Sequence, residues 1–412
     1  MRVLFTPHPA AQHLYPMVPL AWALRAAGHE VLVATAPGLT EPVRRAGLIA
    51  VAIGRNMPDV FTLFANTGLG ARPYEHRPFP PNWPLHPELL DDEQRATVEL
   101  LGHNSAAFAE STVDEVIAFG RRWRPDLVVH DVSAFLGAVT AAALDVPSVR
   151  HLTGVGVRPL ETRVGSAEPL PEYAALFERR GIELRAGPTL TIDPSPPSLR
   201  LPVPGNCAES RYVPYNGPGV VPDWVEQPAG RPRVCVTWGI GASRNSRRYG
   251  PLVLDPCRQA LAALSDVDVE VVLTTMPDQL ELLGELPANV RPLVAVPLSL
   301  LLPHCSLIVH QAGDGTALTA AALGVPQLPI TSKPDPALTA QRLEAVGAAI
   351  HLRNQELAGD PDASAVIRTA AEKMLADPAY AEAAGRLRAE IELQPSPSAL
   401  VPTLEMLAGT AS

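Results

Sequence analysis

Four cysteines are all that 412 residues contain, at 207, 235, 257 and 305, and no two of them form a C-x-x-C pair. That spacing supports neither a disulfide framework nor a zinc site, and it fits a reducing cytosol. Positive charge is also short, with 33 Lys and Arg against 43 Asp and Glu and a formal net charge of −10. General affinity for nucleic acid or an anionic membrane is therefore not expected. The longest apolar stretch, residues 292–310, is broken by Pro297 and Pro303, so no run is long enough to cross a bilayer. The chain opens "MRVLFTPHPA", straight into a strand, with no cleavable apolar segment. A soluble, cytoplasmic protein is the expectation. Two motifs are missing as well. The first strand leads into "PHPAAQH" where a dinucleotide-binding dehydrogenase would carry G-x-G-x-x-G. Ser243 in "GIGASRN" lacks the second glycine of the hydrolase motif G-x-S-x-G.

What is present is ample material for two cores, since 47% of 412 residues are hydrophobic. The first half alternates short apolar runs with helical patterns: "RVLFT", a helix over 16–27, "EVLVAT", then "DLVVHD", a helix and "PSVRH". A second series runs "RVCVTW", "VEVVLTT", "VRPLVAV", "SLIVH", "PQLPI". Such alternation means βαβ units and parallel sheets. Residues 193–232 are too rich in Pro and Gly for long regular elements, so a linker lies between the halves. The expected boundaries are a first domain over 1–204, a linker over 205–232, a second domain over 233–391 and a terminal helix over 392–412 that packs back on the first domain. Residues 57–92 carry many prolines with Tyr74, His76, Phe79, Trp83 and His86, and read as a long surface loop.

Candidate chemistry gathers at strand ends. In "SLIVHQAGDGTALTAAALGVP" a strand is followed by a helix over 316–323, and Gly313 and Gly315 bracket the turn between them. Glycines there permit unusual dihedrals and leave the first helical N–H groups uncovered, which suits an anion, above all phosphate. In the first half, Met17, Leu20, Ala21 and Leu24 form a buried helical face, and His13 falls in the loop ahead of it. Asp131 ends the strand "DLVVHD". Ligands bind beyond the carboxyl ends of parallel strands, so an imidazole and a carboxylate can meet there as a proton-transfer pair. The "DVD" at 266–268 is similar to a metal-binding D-x-D, but it reads as a solvated turn ahead of a strand.

Taken together, "HLYPMVPLAWALRAAGHEV", "WRPDLVVHD", "VPLSLLLPHCSLIVHQAGDGTALTAAALGVPQLPI" and "AQRLEAVGAAIHL" resemble the family 1 glycosyltransferases over nearly the whole chain. "DPSPPSLRLP", "RYVPYNGPG" and "QPSPSALVPTLE" are similar to signatures of the bacterial branch that decorates polyketide antibiotics. The resemblance implies an α/β GT-B fold, two Rossmann-like parallel-sheet domains facing a central cleft. It implies an inverting, metal-independent transfer of a sugar from a nucleotide diphosphate, with the acceptor on the first domain and the donor on the second. His13 matches the general base and Asp131 its supporting aspartate. His310, Gly313, Gly315 and Thr316 match the diphosphate turn, with His310 and the helix N-terminus stabilising the leaving group. Val296 matches the backbone position that meets the nucleobase, and Asp335 a sugar-binding acid.

Two departures bear on the donor. Pro336 stands where many members carry a glutamine after that acid, and losing a hydroxyl partner suits a deoxysugar. Leu318 stands where plant relatives place a ribose-binding glutamate, which agrees with a thymidine donor. The expected substrates are thus a dTDP-deoxysugar and a polyketide-type aglycone, with no other cofactor. A C-glycosidic product, a sugar-nucleotide epimerase and a non-catalytic donor-binding partner stay open as alternatives, as do a homodimer and an auxiliary protein as partners.

Overall fold

The computed structural model describes residues 1–56, 78–155, 160–185, 187–227, 229–241, 253–358 and 360–409. Two parallel sheets organise them. The first contains β1 (Arg2–Thr6), β2 (Glu30–Thr35), β3 (Ala50–Ala52), β4 (Leu127–Asp131), β5 (Ser148–His151), β6 (Leu190–Asp193) and β7 (Cys207–Glu209), in the order β3-β2-β1-β4-β5-β6-β7. The second contains β8 (Arg233–Thr237), β9 (Glu270–Thr275), β10 (Val290–Val294), β11 (Leu307–His310), β12 (Gln327–Thr331) and β13 (Leu352–Arg353), ordered β10-β9-β8-β11-β12-β13.

The central strands are continuous apolar runs because helices cover both faces. Val3 and Phe5 enter one core cluster while Leu4 enters the opposite one, the two-residue period of a strand. Val234 and Val236 face one cluster of the second sheet and Cys235 the other. Each fully buried Val or Leu adds roughly 1.5–3 kcal/mol, enough to fix strand register. In both sheets the chain winds outward on one side and then jumps back, to β4 beside β1 and to β11 beside β8. The connections leaving those adjacent strands diverge, and a crevice opens at their carboxyl ends.

Several local expectations need correction. The helix expected over 16–27 is two pieces, a 3-10 turn Tyr15–Met17 and Val18–Ala26, and a one-turn helix Ala11–Leu14 precedes them. Pro16 and Pro19 lack an N–H and each sits in the first turn of its own piece, so the chain restarts at both. His13 therefore belongs to a one-turn helix, not a loop. Strand β7 lies inside the expected linker and pairs with β6, Thr191 opposite Cys207, so the first sheet runs on to Glu209. Of the expected surface loop, residues 57–77, with Tyr74 and His76, lie outside the described residues. Phe79 and Trp83 instead bury against Leu90 and Val98, since two aromatic rings find an apolar face on helix Asp92–Trp123. That helix starts with Asp91 accepting from the Gln94 N–H in a capping box.

The C-terminal segment returns to the first half. Residues 392–393 still belong to helix Pro378–Leu393. Helix Val401–Gly409 then places Val401 and Leu404, with the preceding Leu400, in the same core as Val3 and Phe5. Glu405 meets His29 at 3.0 Å. Among the described residues no helix is long and apolar enough to cross a membrane.

Candidate active site

The carboxyl ends of both sheets face one cavity of about 690 Å³, within the range of small-molecule sites. On the first wall, the one-turn helix after β1 anchors itself through Leu14, 1% exposed, and holds up His13, whose side chain is 24% exposed. Asp131 closes β4 and is fully buried. Its Oδ1 accepts from the Ser133 N–H at 2.7 Å and its Oδ2 from the His8 N–H. His13 Nδ1 stands 3.5 Å from Asp131 Oδ1, an ion-pair separation longer than a hydrogen bond. That arrangement aims Nδ1 at the carboxylate and leaves Nε2 for the cavity. Burial works to raise the Asp131 carboxyl, but the charge of His13 and the charge and N–H bond of His8 outweigh it and hold it down at about 2. His8, whose ring centroid is 4.8 Å from that of His13, was not anticipated from the sequence. His130 and His151 lie on the same edge, but burial lowers both to about 4 and keeps them neutral. They are structural: His151 Nδ1–H donates to the Leu152 carbonyl at 2.8 Å.

On the second wall, helix Asp314–Leu323 starts two residues earlier than expected, after Gly313. The left-handed residue of the turn is Ala312, at φ 62°, whereas Gly313 is at −63°. The glycines are therefore not required by backbone dihedrals there. Ala312 is held by its N–H bond to His310 Nδ1, 3.0 Å. Gln311 braces the turn by accepting from the Gly313 N–H and donating to the Trp238 carbonyl at 3.0 Å, which ties the ends of β11 and β8 together. Among the described residues the Asp314 and Gly315 N–H groups have no acceptor, while that of Thr316 bonds the Gly313 carbonyl at 2.9 Å. Gly313, Gly315 and Thr316 all line the cavity, but of the N–H groups at this helix start only those of Asp314 and Gly315 are left for an anion.

His310 corrects the expectation placed on it. Its ring is 0% exposed and lies beneath the turn, outside the cavity lining. Burial lowers it to about 4, and its Nδ1 accepts from the Ala312 N–H, so the ring braces the turn from beneath. Leu318 is likewise fully buried in a core cluster, so that position does not address the donor ribose in this chain. Val296 lines the cavity beside Ala295, whose N–H bonds the Thr275 carbonyl at 3.0 Å. Asp266 and Asp268 stay on the surface, 3.4 Å from Arg368 and 3.6 Å from Arg231.

Three residues that sequence reasoning passed over matter here. Tyr212 and Asn216, quoted only as part of "RYVPYNGPG", hold the helix from behind. Tyr212 OH donates to the Gly315 carbonyl at 3.1 Å and Asn216 Nδ2 to Thr319 Oγ1 at 3.1 Å. The third is Asp314, whose carboxylate lies between the walls, accepting from Thr339 Oγ1 at 3.1 Å. Burial first, and then the nearby Asp335 carboxylate, raise it to about 6. Asp335 and Pro336 both line the cavity, and Asp335 also lies within reach of Lys333, whose pKa burial lowers.

An acid with a raised folded-state pKa stabilises the fold below its unfolded value and loses that contribution as pH rises through the folded value. Asp314 therefore favours the folded chain below its ordinary 3.8 and loses that favour through about 6. Asp314→Asn should melt higher than wild type at about pH 8, with the gap closing towards about pH 4. Melting curves across that range check it, and a gap independent of pH contradicts it.

The erythromycin biosynthesis protein CIII-like model matches twice, its N-terminal domain over residues 22–239 and its C-terminal domain over 258–407. The chain belongs to this family. The chain is 37% identical over 430 residues to the tylactone mycaminosyltransferase of Streptomyces fradiae, covering 99% of this chain and 92% of that one. It is also 37% identical to the TDP-daunosamine transferase of Streptomyces peucetius, over 99% of this chain and 97% of that one. Among solved structures, the spinosyn rhamnosyltransferase complexed with thymidine diphosphate is 33% identical, with a TM-score of 0.78 over 98% of this chain and all of that one. The fold is GT-B and the protein is a glycosyltransferase.

Proposed function

We propose that the transferase moves a deoxysugar from a thymidine diphosphate donor to a polyketide-type aglycone, with inversion at the anomeric carbon. One observation carries this reading: one cavity has His13, backed by the buried Asp131, on one wall and the helix start with the unpaired Asp314 and Gly315 N–H groups on the other. The walls are close enough for the charge of His13 to act on Asp314. Relatives named as a tylactone mycaminosyltransferase, a TDP-daunosamine transferase and an aclacinomycin-T 2-deoxy-L-fucose transferase, and a neighbour named as holding thymidine diphosphate, support the substrate classes.

The acceptor hydroxyl, seated on the first wall, attacks the anomeric carbon from the side opposite the leaving group. Its proton passes to His13 Nε2 as the new carbon–oxygen bond forms, and the bond to the β-phosphate oxygen breaks. Asp131 keeps the ring oriented and offsets the imidazolium charge. The nucleoside diphosphate leaves with an added negative charge, which the N–H groups of Asp314 and Gly315 stabilise together with the helix dipole. Val296 offers backbone to the base, and Asp335 holds a sugar hydroxyl. Intact-mass measurement of products from thymidine- and uridine-diphospho sugars, each with macrolactone and anthracyclinone acceptors, tests the proposal. Transfer from the thymidine donors alone, or much faster from them, is expected. Sugar release without an acceptor adduct contradicts it.

Sugar choice rests on Pro336. A prolyl ring in the first turn of helix Pro334–Ala345 cannot pair with a sugar hydroxyl. Pro336→Gln should raise kcat/KM for a fully hydroxylated donor relative to a deoxysugar donor, since specificity resides in that ratio. A wild type that already prefers the fully hydroxylated sugar contradicts this.

A further inference from the structure

Helix Asp92–Trp123 runs along the first wall, and its Val98, Leu101, Asn104 and Ser105 line the cavity. Their spacing places them on one helical face. Trp83, 2% exposed, and Leu160, 8% exposed, extend this wall, which is mainly apolar. Asn104 breaks the pattern. It is 7% exposed, and its Nδ2 has no hydrogen-bond partner among the described residues. The indole Nε1 of Trp83 also has no partner among the described residues. Buried amides are nearly always bonded, and an unpaired one destabilises the fold. A leucine here would continue the apolar face without that cost.

We propose that Asn104 reads the acceptor: its side-chain amide hydrogen-bonds a carbonyl or hydroxyl oxygen of an otherwise apolar polycyclic or macrocyclic aglycone lying against Val98, Leu101, Leu160 and Trp83. This rests on the reading of the first wall as the acceptor side. A site built around a hydrogen bond rejects analogues that cannot make it, whereas apolar contacts alone discriminate weakly. Asn104 is thus a specificity residue, remote from the diphosphate turn.

The test uses the full-length protein with tylactone and aklavinone as acceptor probes. Dissociation constants come from quenching of tryptophan fluorescence, and kcat and KM from turnover with a thymidine-diphospho-deoxysugar. Asn104→Leu should raise the dissociation constant and KM of at least one probe by roughly 10- to 100-fold. Affinity for thymidine diphosphate should not change, and Asn104→Ser should fall between. Equal acceptor affinity in wild type and both folded variants overturns the proposal, as does a wild type that binds neither probe. Binding that depends on Asn104 without any turnover supports the site and counts against the transfer reaction instead. An Asn104→Leu protein that only melts higher, with acceptor binding intact, identifies an unsatisfied structural amide and also overturns it.

Discussion

His13→Ala is expected to lower kcat by roughly 10²- to 10⁴-fold, the usual cost of losing a general base, while affinity for thymidine diphosphate stays as it was. The separation follows from the architecture, because His13 projects from the first sheet and the diphosphate turn from the second. Asp131→Asn should cost less in kcat, since the imidazole remains. It should cost more in stability, because His13 loses its counter-charge and the buried His8 and Ser133 N–H groups can no longer both bond a carboxylate oxygen. That carboxylate stabilises the fold above its ordinary 3.8, and the contribution disappears as pH falls through about 2. The competing role for His13 is structural, as a polar residue in the last turn of a one-turn helix. That role predicts a lower melting temperature with kcat preserved. Steady-state kinetics across pH, with nucleotide affinity by calorimetry and melting curves alongside, separates the two, and an unaltered kcat in a folded His13→Ala enzyme would reject the base.

Gly154→Ala should lower kcat/KM on the order of 10²-fold, the scale expected when reacting groups are displaced by about 1 Å. Gly154 belongs to the first half and sits directly against Asp314 of the second. A Cβ there would stand 2.3 Å from Asp314 Cβ and 2.2 Å from its Cγ. The first of those atoms is fixed to the helix backbone, so no rotamer change relieves the overlap and the walls must separate. Since the contact lies at the cleft and outside either core, the melting temperature should change little. Adding Asp314→Gly removes the obstructing Cβ and should restore part of the loss relative to Gly154→Ala. Activity equal to wild type in Gly154→Ala, or no recovery in the double variant, would mean that this contact does not set the spacing of the cleft.

Much of the site was legible because strand ends can be read locally. "RVLFT", "DLVVHD" and "SLIVH" are apolar runs of strand length, and parallel strands present whatever follows them to one edge. His13, Asp131 and the Gly313 to Thr316 turn were found on that ground. Errors arose where a short segment had two local solutions. Pro16 and Pro19 could lie within one helix start or begin two, and only packing of Leu14 and Met17 into the core selects the second. Strand β7 is three residues long and carries no pattern of its own; it is a strand because β6 offers it an edge. Phe79 and Trp83 read as part of a surface loop, but helix Asp92–Trp123 supplies the face that buries them.

By itself the sequence determined two α/β halves, their order and the residue types at each strand end, since period and composition act over a few neighbours at a time. Which of those residues share a space was decided by tertiary structure. Gln311 bracing Trp238, Tyr212 reaching the Gly315 carbonyl, Asp314 pressed on Gly154 and the withdrawal of His310 beneath its own turn all depend on how the elements pack in space. The physical reason is that hydrogen bonds, desolvation and steric overlap act over a few ångströms in space, and the chain brings residues to that range only once both cores have closed.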